Sequence, residues 1–106
     1  MNIYFKSQIL FDLYEGRGTT NKQFRSIPGV IKKYQAVVGI FKIIEKISDL
    51  YSYPGLRYEK LKGNLNMYSS IRLNKKYRLI FREVHSNLDF GIVDTLEIIE
   101  ISNHYS

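Results

Sequence analysis

The sequence predicts an α+β fold, in which helices and strands occupy separate parts of one small domain. In the N-terminal half, apolar residues recur at three- and four-residue steps, which is typical of a helix; in the C-terminal half they alternate with polar residues, as in strands. The chain has 106 residues, of which 44% are hydrophobic and 25% are charged. These values are typical of a globular chain with one modest core, so we expect a single domain over residues 1–106.

The N-terminal half begins with a short predicted strand and one or two helical turns within the first fifteen residues. Residues 16–21, GRGTTN, read as a loop by composition. A longer helix follows, with Pro28 suited to its first turn and an expected end near residues 49–52, before Pro54. Its apolar stripe requires a sheet to pack against and is formed by Ile27, Ile31, Tyr34, Val38, Phe41, Ile44 and Tyr51.

The remaining residues read as strands joined by turns. The predicted strands span residues 58–62, 67–73, 77–84 and 96–103, and residues 85–91 are turn-rich. A three-residue loop at 74–76 places the apolar side chains of the two central strands on one face, with Ile71 opposite Leu79. The same register places Arg72 opposite Arg78 on the other face, and like charges in that position are mildly destabilising.

Side-chain alternation divides the predicted sheet into a helix-covered face and an open face. Leu61, Ile99 and Ile101 should point into the core. The open face should then carry Tyr58, Lys60, Lys62, Tyr68, Ser70, Arg72, Arg78, Arg82, Glu100, Ser102 and His104.

Positive charge is concentrated in this sheet. Residues 57–82 contain eight basic and one acidic side chain, whereas residues 83–106 contain five acidic and no basic ones, and the whole chain carries +6. Such a stretch indicates a polyanionic partner, although antiparallel sheets also commonly have one solvated, charged face. Arginine favours the first interpretation, because guanidinium binds phosphate in a bidentate manner and neighbouring tyrosines can stack on bases.

Several classes of protein are disfavoured by composition. The chain has no Cys, and its two His residues do not have the spacing of metal ligands, so we expect no metal site and no small-molecule cofactor. No apolar run approaches the roughly 20 residues of a membrane helix, and the N-terminus does not resemble a signal peptide. We therefore predict a cytoplasmic protein that does not bind membranes.

The second half of the chain resembles the RelE/ParE superfamily of toxins from type II toxin–antitoxin systems, and most closely its HigB (proteic killer) branch. The shared pattern runs from Leu-Lys-Gly at residues 61–63, through Ser-Ile-Arg at 70–72 and an Asn turn at 74, to Tyr-Arg-Leu-Ile-Phe at 77–81. Residues 102–105 are Ser-Asn-His-Tyr, where HigB proteins commonly have an Asp-Tyr-His sequence. One strand position that is often His in relatives is Glu59 or Lys60 here.

The resemblance implies two N-terminal helices packed on one face of a small, mostly antiparallel twisted sheet. It also implies a ribosome-dependent endoribonuclease that cleaves mRNA and is neutralised by a cognate HigA-like antitoxin. A free chain with a basic face would attract an acidic, partly disordered segment of such a partner.

Metal-free cleavage of RNA by its own 2′-hydroxyl requires a base, an acid and stabilisation of the charged phosphorus. His104 could serve as acid or base because it titrates near neutrality. Lys62 could serve as the base if neighbouring Arg72 and Arg78 lowered its pKa. We therefore predict His104, Lys62 and Arg78 as catalytic residues. The predicted RNA- or phosphate-binding residues are Arg57, Lys60, Arg72, Arg82, Tyr68 and Tyr105.

Two other functions remain open at this point. A ParE-like toxin would share the fold and inhibit DNA gyrase without cleaving RNA. A plain nucleic-acid-binding module would show strongly salt-dependent binding and no toxicity.

Overall fold

The computed structural model of the chain describes residues 1–63 and 67–103. The helices are α1 (Gln8–Tyr14), α2 (Lys22–Arg25) and α3 (Pro28–Ile43), followed by two 3₁₀ segments, Ile47–Ser52 and Pro54–Leu56. The strands are β1 (Asn2–Phe5), β2 (Glu59–Lys60), β3 (Tyr68–Arg72), β4 (Arg78–His85) and β5 (Val93–Ser102). They form one five-stranded sheet in the order β1-β5-β4-β3-β2, in which only β1 and β5 run parallel.

Helices α1 and α3 pack on one face of this sheet and form the core with it. The rings of Phe41 in α3 and Phe81 in β4 meet with centroids 4.8 Å apart, and both side chains are fully buried. The hydroxyl of Tyr34 donates a 2.6 Å hydrogen bond to the carbonyl of Leu10 and so joins the two helices. Burial raises the pKa of Tyr34. The predicted α+β architecture is confirmed, with one-turn α2 as an additional element.

Helix α3 ends at Ile43, so its predicted end near residues 49–52 is wrong. The backbone turns extended at Ile44, with ψ at 148°, and a separate 3₁₀ segment then covers Ile47–Ser52. The carboxylate of Asp49 accepts the backbone N–H groups of the preceding loop at 3.0 and 3.2 Å. These bonds stabilise the turn between α3 and the 3₁₀ segment. The spacing of apolar residues alone did not reveal that the helix stops before this turn.

The β3–β4 hairpin has the predicted register. Ile71 lies opposite Leu79, and Arg72 lies opposite Arg78. The side chain of Asn74 accepts the backbone N–H groups of Lys76 and Tyr77 at 2.8 and 2.7 Å. This local bonding holds the short loop and fixes which side chains face the helices.

Strand β5 contains a β-bulge that corrects its predicted faces. Ile80 pairs with Glu100 and Phe81 pairs with Ile98, so Ile99 is the extra residue. Ile98 takes the buried position expected for Ile99, which is only half-buried, and Ile101 is buried as predicted. The bulge reverses the alternation within a strand that otherwise reads as regular.

Strand β2 has the opposite orientation from the one predicted. Glu59 pairs with Ser70, and Lys60 pairs with Ser69, which in turn lies opposite core residue Phe81. Lys60 and Tyr58 therefore face the helix side, and Tyr58 packs on Phe81 with ring centroids 6.1 Å apart. Leu61, which was expected in the core, is half-buried and lies outside the core cluster. The pairing of β2 with β3 decides which side chains face the helices. The apolar character of Leu61 alone was not enough to predict it.

Candidate functional site

The helix-free face of the sheet carries arginines at regular positions of the β3–β4 hairpin. We call it the arginine face; its members are Glu59, Tyr68, Ser70, Arg72, Arg78, Ile80, Arg82, Glu97, Glu100 and Ser102. Ile80 is 2% exposed, yet it lies outside the core cluster that the helices form. The long side chains around it therefore make a packed surface with an apolar centre.

Arg78 lies toward one end of this face, at the start of β4. It stands opposite Arg72 on β3 and opposite Ser102 on β5. Its Nη1 donates to Ser70 Oγ at 3.3 Å and lies 3.4 Å from Glu59 Oε1. Glu59 offsets the repulsion between the two facing guanidinium groups, and its side chain remains 57% exposed and open to a ligand.

Arg82 occupies the other end of the face, between Tyr68 and Glu97. Its Nε donates to Glu97 Oε1 at 2.9 Å, with the arginine 42% and the glutamate 20% exposed. Two of the three arginines are thus paired with carboxylates. The Nε of Arg72 instead donates to the backbone carbonyl of Asn74 at 3.3 Å, which leaves its charge without a carboxylate among the described residues.

The structure brings together part of the predicted site. Arg72, Arg78, Arg82 and Tyr68 share the arginine face. Lys60 was predicted on this face and lies on the opposite one, because β2 pairs with β3 in the register given above.

Four predicted residues lie at the margins of the sheet or outside the described part. Lys62 is exposed after the end of β2, and Arg57 is exposed at a positive φ of 48° after the second 3₁₀ segment. His104 and Tyr105 lie outside the described residues. The roles predicted for these residues stay predictions.

Glu59 is the acidic residue beside Arg78 that sequence reasoning did not assign to the site. A signal was present, because Glu59 is the single acidic residue among eight basic ones in residues 57–82. Its position opposite Ser70 was hidden by the inverted orientation assumed for β2.

Glu83 was also missed, and it organises the helix-facing side of the same sheet edge. Its side chain is 7% exposed; its Oε2 accepts hydrogen bonds from the hydroxyls of Tyr58 and Ser69, and its Oε1 lies 3.3 Å from Lys60 Nζ. Burial, followed by the bond to Glu83, raises the pKa of Tyr58. A cleft of about 260 Å³ opens beside this cluster, lined by Lys60, Met67, Ser69, Arg82, Glu83 and His85.

The described residues offer neither a metal-binding cluster nor a membrane-spanning helix. Over residues 1–63 and 67–103, no three His, Asp or Glu side chains are grouped so as to hold a metal ion. None of the helices in that part of the chain combines the length and apolar character needed to cross a membrane.

Comparison with known proteins places this chain in a family. Residues 3–96 match the model of the RelE-like toxin of type II toxin–antitoxin system HigB. The chain belongs to the HigB family. Toxin HigB-1 of Vibrio cholerae serotype O1 is 39% identical over 90 residues, which are 79% of this chain and 85% of that toxin.

Two solved structures have the same fold. The YoeB/ParE toxin from Agrobacterium tumefaciens matches with a TM-score of 0.57 at 20% identity, covering 99% of this chain and all of that one. The YoeB dimer from Staphylococcus aureus matches with a TM-score of 0.53 at 24% identity, covering 99% and 98%. At these identities the two structures support the RelE-like fold alone.

The predicted recognition as a HigB-like member of the RelE/ParE superfamily is confirmed. The chain is a toxin of a type II toxin–antitoxin system, and membership of this family implies a cognate antitoxin.

Proposed function

We propose that this HigB-family toxin is an endoribonuclease that cleaves mRNA on the ribosome at the arginine face. The observation that carries the proposal is the group formed by Arg72, Arg78 and Glu59. Two guanidinium groups face each other across β3 and β4, and a carboxylate lies 3.4 Å from one of them. Such a group offers phosphate-binding cations and a proton acceptor on one surface.

The reaction requires no nucleophile from the protein. The 2′-oxygen of the RNA forms a bond to the adjacent phosphorus, and the bond from phosphorus to the 5′-oxygen breaks. The base takes the 2′-hydroxyl proton and the acid protonates the departing 5′-oxygen. The products are a 2′,3′-cyclic phosphate and a free 5′-hydroxyl.

The residues of the arginine face fit these roles. Arg78 and Arg72 stabilise the negative charge that develops on the phosphate oxygens. Glu59 is 57% exposed next to Arg78 and is our candidate for the base, in place of Lys62. His104, two residues beyond Ser102 in sequence, is the candidate acid, because Ser102 pairs directly with Arg78.

Induced expression with and without active-site substitutions tests the proposal. Arg78→Ala should lower message cleavage by about 10²–10³-fold, and His104→Ala by about 10²–10⁴-fold. Lys33→Ala, which removes an exposed cation of α3, is the matched control and should leave cleavage unchanged. Growth, message ends mapped by primer extension and thermal melting of each purified variant are the measurements.

The outcomes separate the alternatives. Full cleavage by both Arg78→Ala and His104→Ala would contradict the mechanism. Growth arrest with a DNA-damage response and intact messages would indicate a ParE-like gyrase inhibitor instead. Salt-sensitive RNA binding without growth arrest would indicate a nucleic-acid-binding module.

A further inference from the structure

The helical side of the molecule carries a second basic surface that the reaction does not use. Residues 16–44 contain six basic and no acidic side chains. All six are exposed: Arg17, Lys22, Arg25, Lys32, Lys33 and Lys42. Among the described residues, the one ion pair from this segment joins Arg17 to Asp12 at 3.3 Å. The positive charge of residues 16–44 is therefore less neutralised within the chain than the positive charge of the arginine face.

Part of this surface forms a groove of about 510 Å³ between the end of α1, the loop after it, α2 and the start of α3. Its apolar lining includes the buried Leu13 and the half-buried Phe24 and Ile31. Its exposed cations are Arg17, Arg25 and Lys32, and no carboxylate contributes to the lining. We call this the helical groove.

The walls of the helical groove are fixed by hydrogen bonds. The side-chain amide of Gln35 donates to the carbonyl of Leu13 at 2.8 Å and joins α3 to α1. The side chain of Asn21 accepts the backbone N–H of Phe24 at 3.3 Å and caps α2. The helical walls of the groove are therefore held together by hydrogen bonds, and residues 16–19 of the loop after α1 complete its lining.

We infer that the helical groove docks an acidic, apolar-bearing segment of the cognate antitoxin. The apolar floor accepts large side chains of such a segment, while the cations at the rim attract its carboxylates. The inference rests on membership of the HigB family, which implies an antitoxin, and does not depend on the nuclease mechanism.

The arginine face is less suited to this partner. Glu59, Glu97 and Glu100 on that face would repel an acidic segment. RNA is less suited to the helical groove, because single-stranded RNA is bound through exposed aromatic platforms, and the apolar lining here is mainly aliphatic around a half-buried Phe24. The antitoxin and the message would therefore bind opposite sides of the toxin.

Charge reversal provides the first test. The double substitution Arg25→Glu with Lys32→Glu should weaken binding of the antitoxin by about 10-fold or more. The probe is the product of the antitoxin reading frame from the toxin's own locus, titrated calorimetrically into cell-free-synthesised toxin. Lys22→Glu with Lys33→Glu alters the neighbouring positions of the same helices outside the groove and should weaken binding by less than about 3-fold.

A glycine pair tests the groove without removing any existing contact. A Cβ added at Gly29, which lines the groove, or at Gly39, farther along α3, meets no atom within 4 Å. Gly29→Glu should block the antitoxin, whereas Gly39→Glu should not. Both variants should still arrest growth, and only Gly29→Glu should escape rescue by co-expressed antitoxin. Matching melting temperatures will show that the fold is retained.

Three results would overturn the inference. One is antitoxin binding that is equal in the groove and control variants. The second is loss of ribosome or RNA binding in Gly29→Glu with antitoxin binding intact, which would assign the groove to nucleic acid. The third is a wild-type toxin dimer that Gly29→Glu dissociates, which would assign it to a second copy. Absence of message cleavage by the wild type would overturn the nuclease proposal and leave these measurements valid.

Discussion

The arginine face and the helical groove differ in how their positive charge is balanced. On the arginine face, Glu59 pairs with Arg78 and Glu97 pairs with Arg82. In the helical segment of residues 16–44, six cations are exposed and the sequence supplies no acidic residue. The stretch of sequence richest in basic residues therefore forms the more neutralised of the two surfaces. The reason is that pairing between strands brings carboxylates from distant parts of the chain next to its arginines.

The largest expected effect separates the two carboxylates that pair with arginines on the arginine face, Glu59 and Glu97. Glu59→Gln should lower message cleavage by about 10²–10⁴-fold, because it removes the proposed base beside Arg78. Glu97→Gln, which removes the partner of Arg82, should lower it by less than about 10-fold. Single-turnover cleavage on programmed ribosomes measures both. Equal effects would mean that the carboxylates only balance charge.

The next effect concerns how β2 is held in place. Glu83→Gln weakens the contacts to Tyr58, Ser69 and Lys60 and should lower the free energy of unfolding by about 2 kcal/mol. Lys60 is 66% exposed, so little of this loss comes from the ion pair itself. Urea unfolding provides the value, with Glu97→Gln as the exposed-pair control. Message cleavage by Glu83→Gln should also fall, since β2 positions Glu59. Cleavage at the wild-type level would show that Glu83 does not help to position Glu59.

A smaller effect should appear at alkaline pH. The pKa of Tyr58 is raised in the folded state by burial and by Glu83, so the folded protein holds this proton more strongly than the unfolded chain does. The contribution of Tyr58 to the free energy of unfolding is complete below the unfolded pKa of about 10. As pH rises above that value, this contribution is lost by about 1.4 kcal/mol per pH unit. Tyr58→Phe should flatten this loss, while the Tyr34 contribution remains. An unchanged slope of the free energy of unfolding against pH would show that Tyr58 does not contribute to the loss of stability.

The smallest effect compares the two surfaces directly by salt dependence. Arg72→Ala should reduce the slope of log affinity for a model RNA against log salt concentration by about one unit, because one phosphate contact is lost. Lys32→Ala in the helical groove should leave that slope unchanged. Fluorescence titrations from low to moderate salt measure both slopes. A larger change for Lys32→Ala would reverse the assignment of the two surfaces.

The sequence predicted those parts of the fold that depend on local pattern. The β3–β4 hairpin was predicted with its register, because apolar alternation and a three-residue loop allow one arrangement that buries Ile71 and Leu79 together. The HigB-family resemblance and the facing pair Arg72 and Arg78 followed from the same stretch, and the α+β class followed from adding the helical spacing of the N-terminal half.

The errors arose where pairing between distant segments decides the structure. Strand β2 has two residues, too few for alternation to indicate which face is buried, and its orientation follows from pairing with Ser69 and Ser70. The bulge at Ile99 depends on the fit of β5 to β4. The partners Glu59 and Glu97 could not be assigned to the arginines without these two registers.

The shortness of β2 has a consequence for how toxins of this kind can change. Glu59 and Lys60 are adjacent and point to opposite sides of the sheet. A shift of one residue in the pairing would exchange them, placing an ammonium group beside Arg78 and a second carboxylate beside Glu83. Insertions and deletions in residues 57–63 should therefore inactivate such a toxin more readily than many substitutions there. Related toxins should accordingly vary more in the amino acids of this segment than in its length.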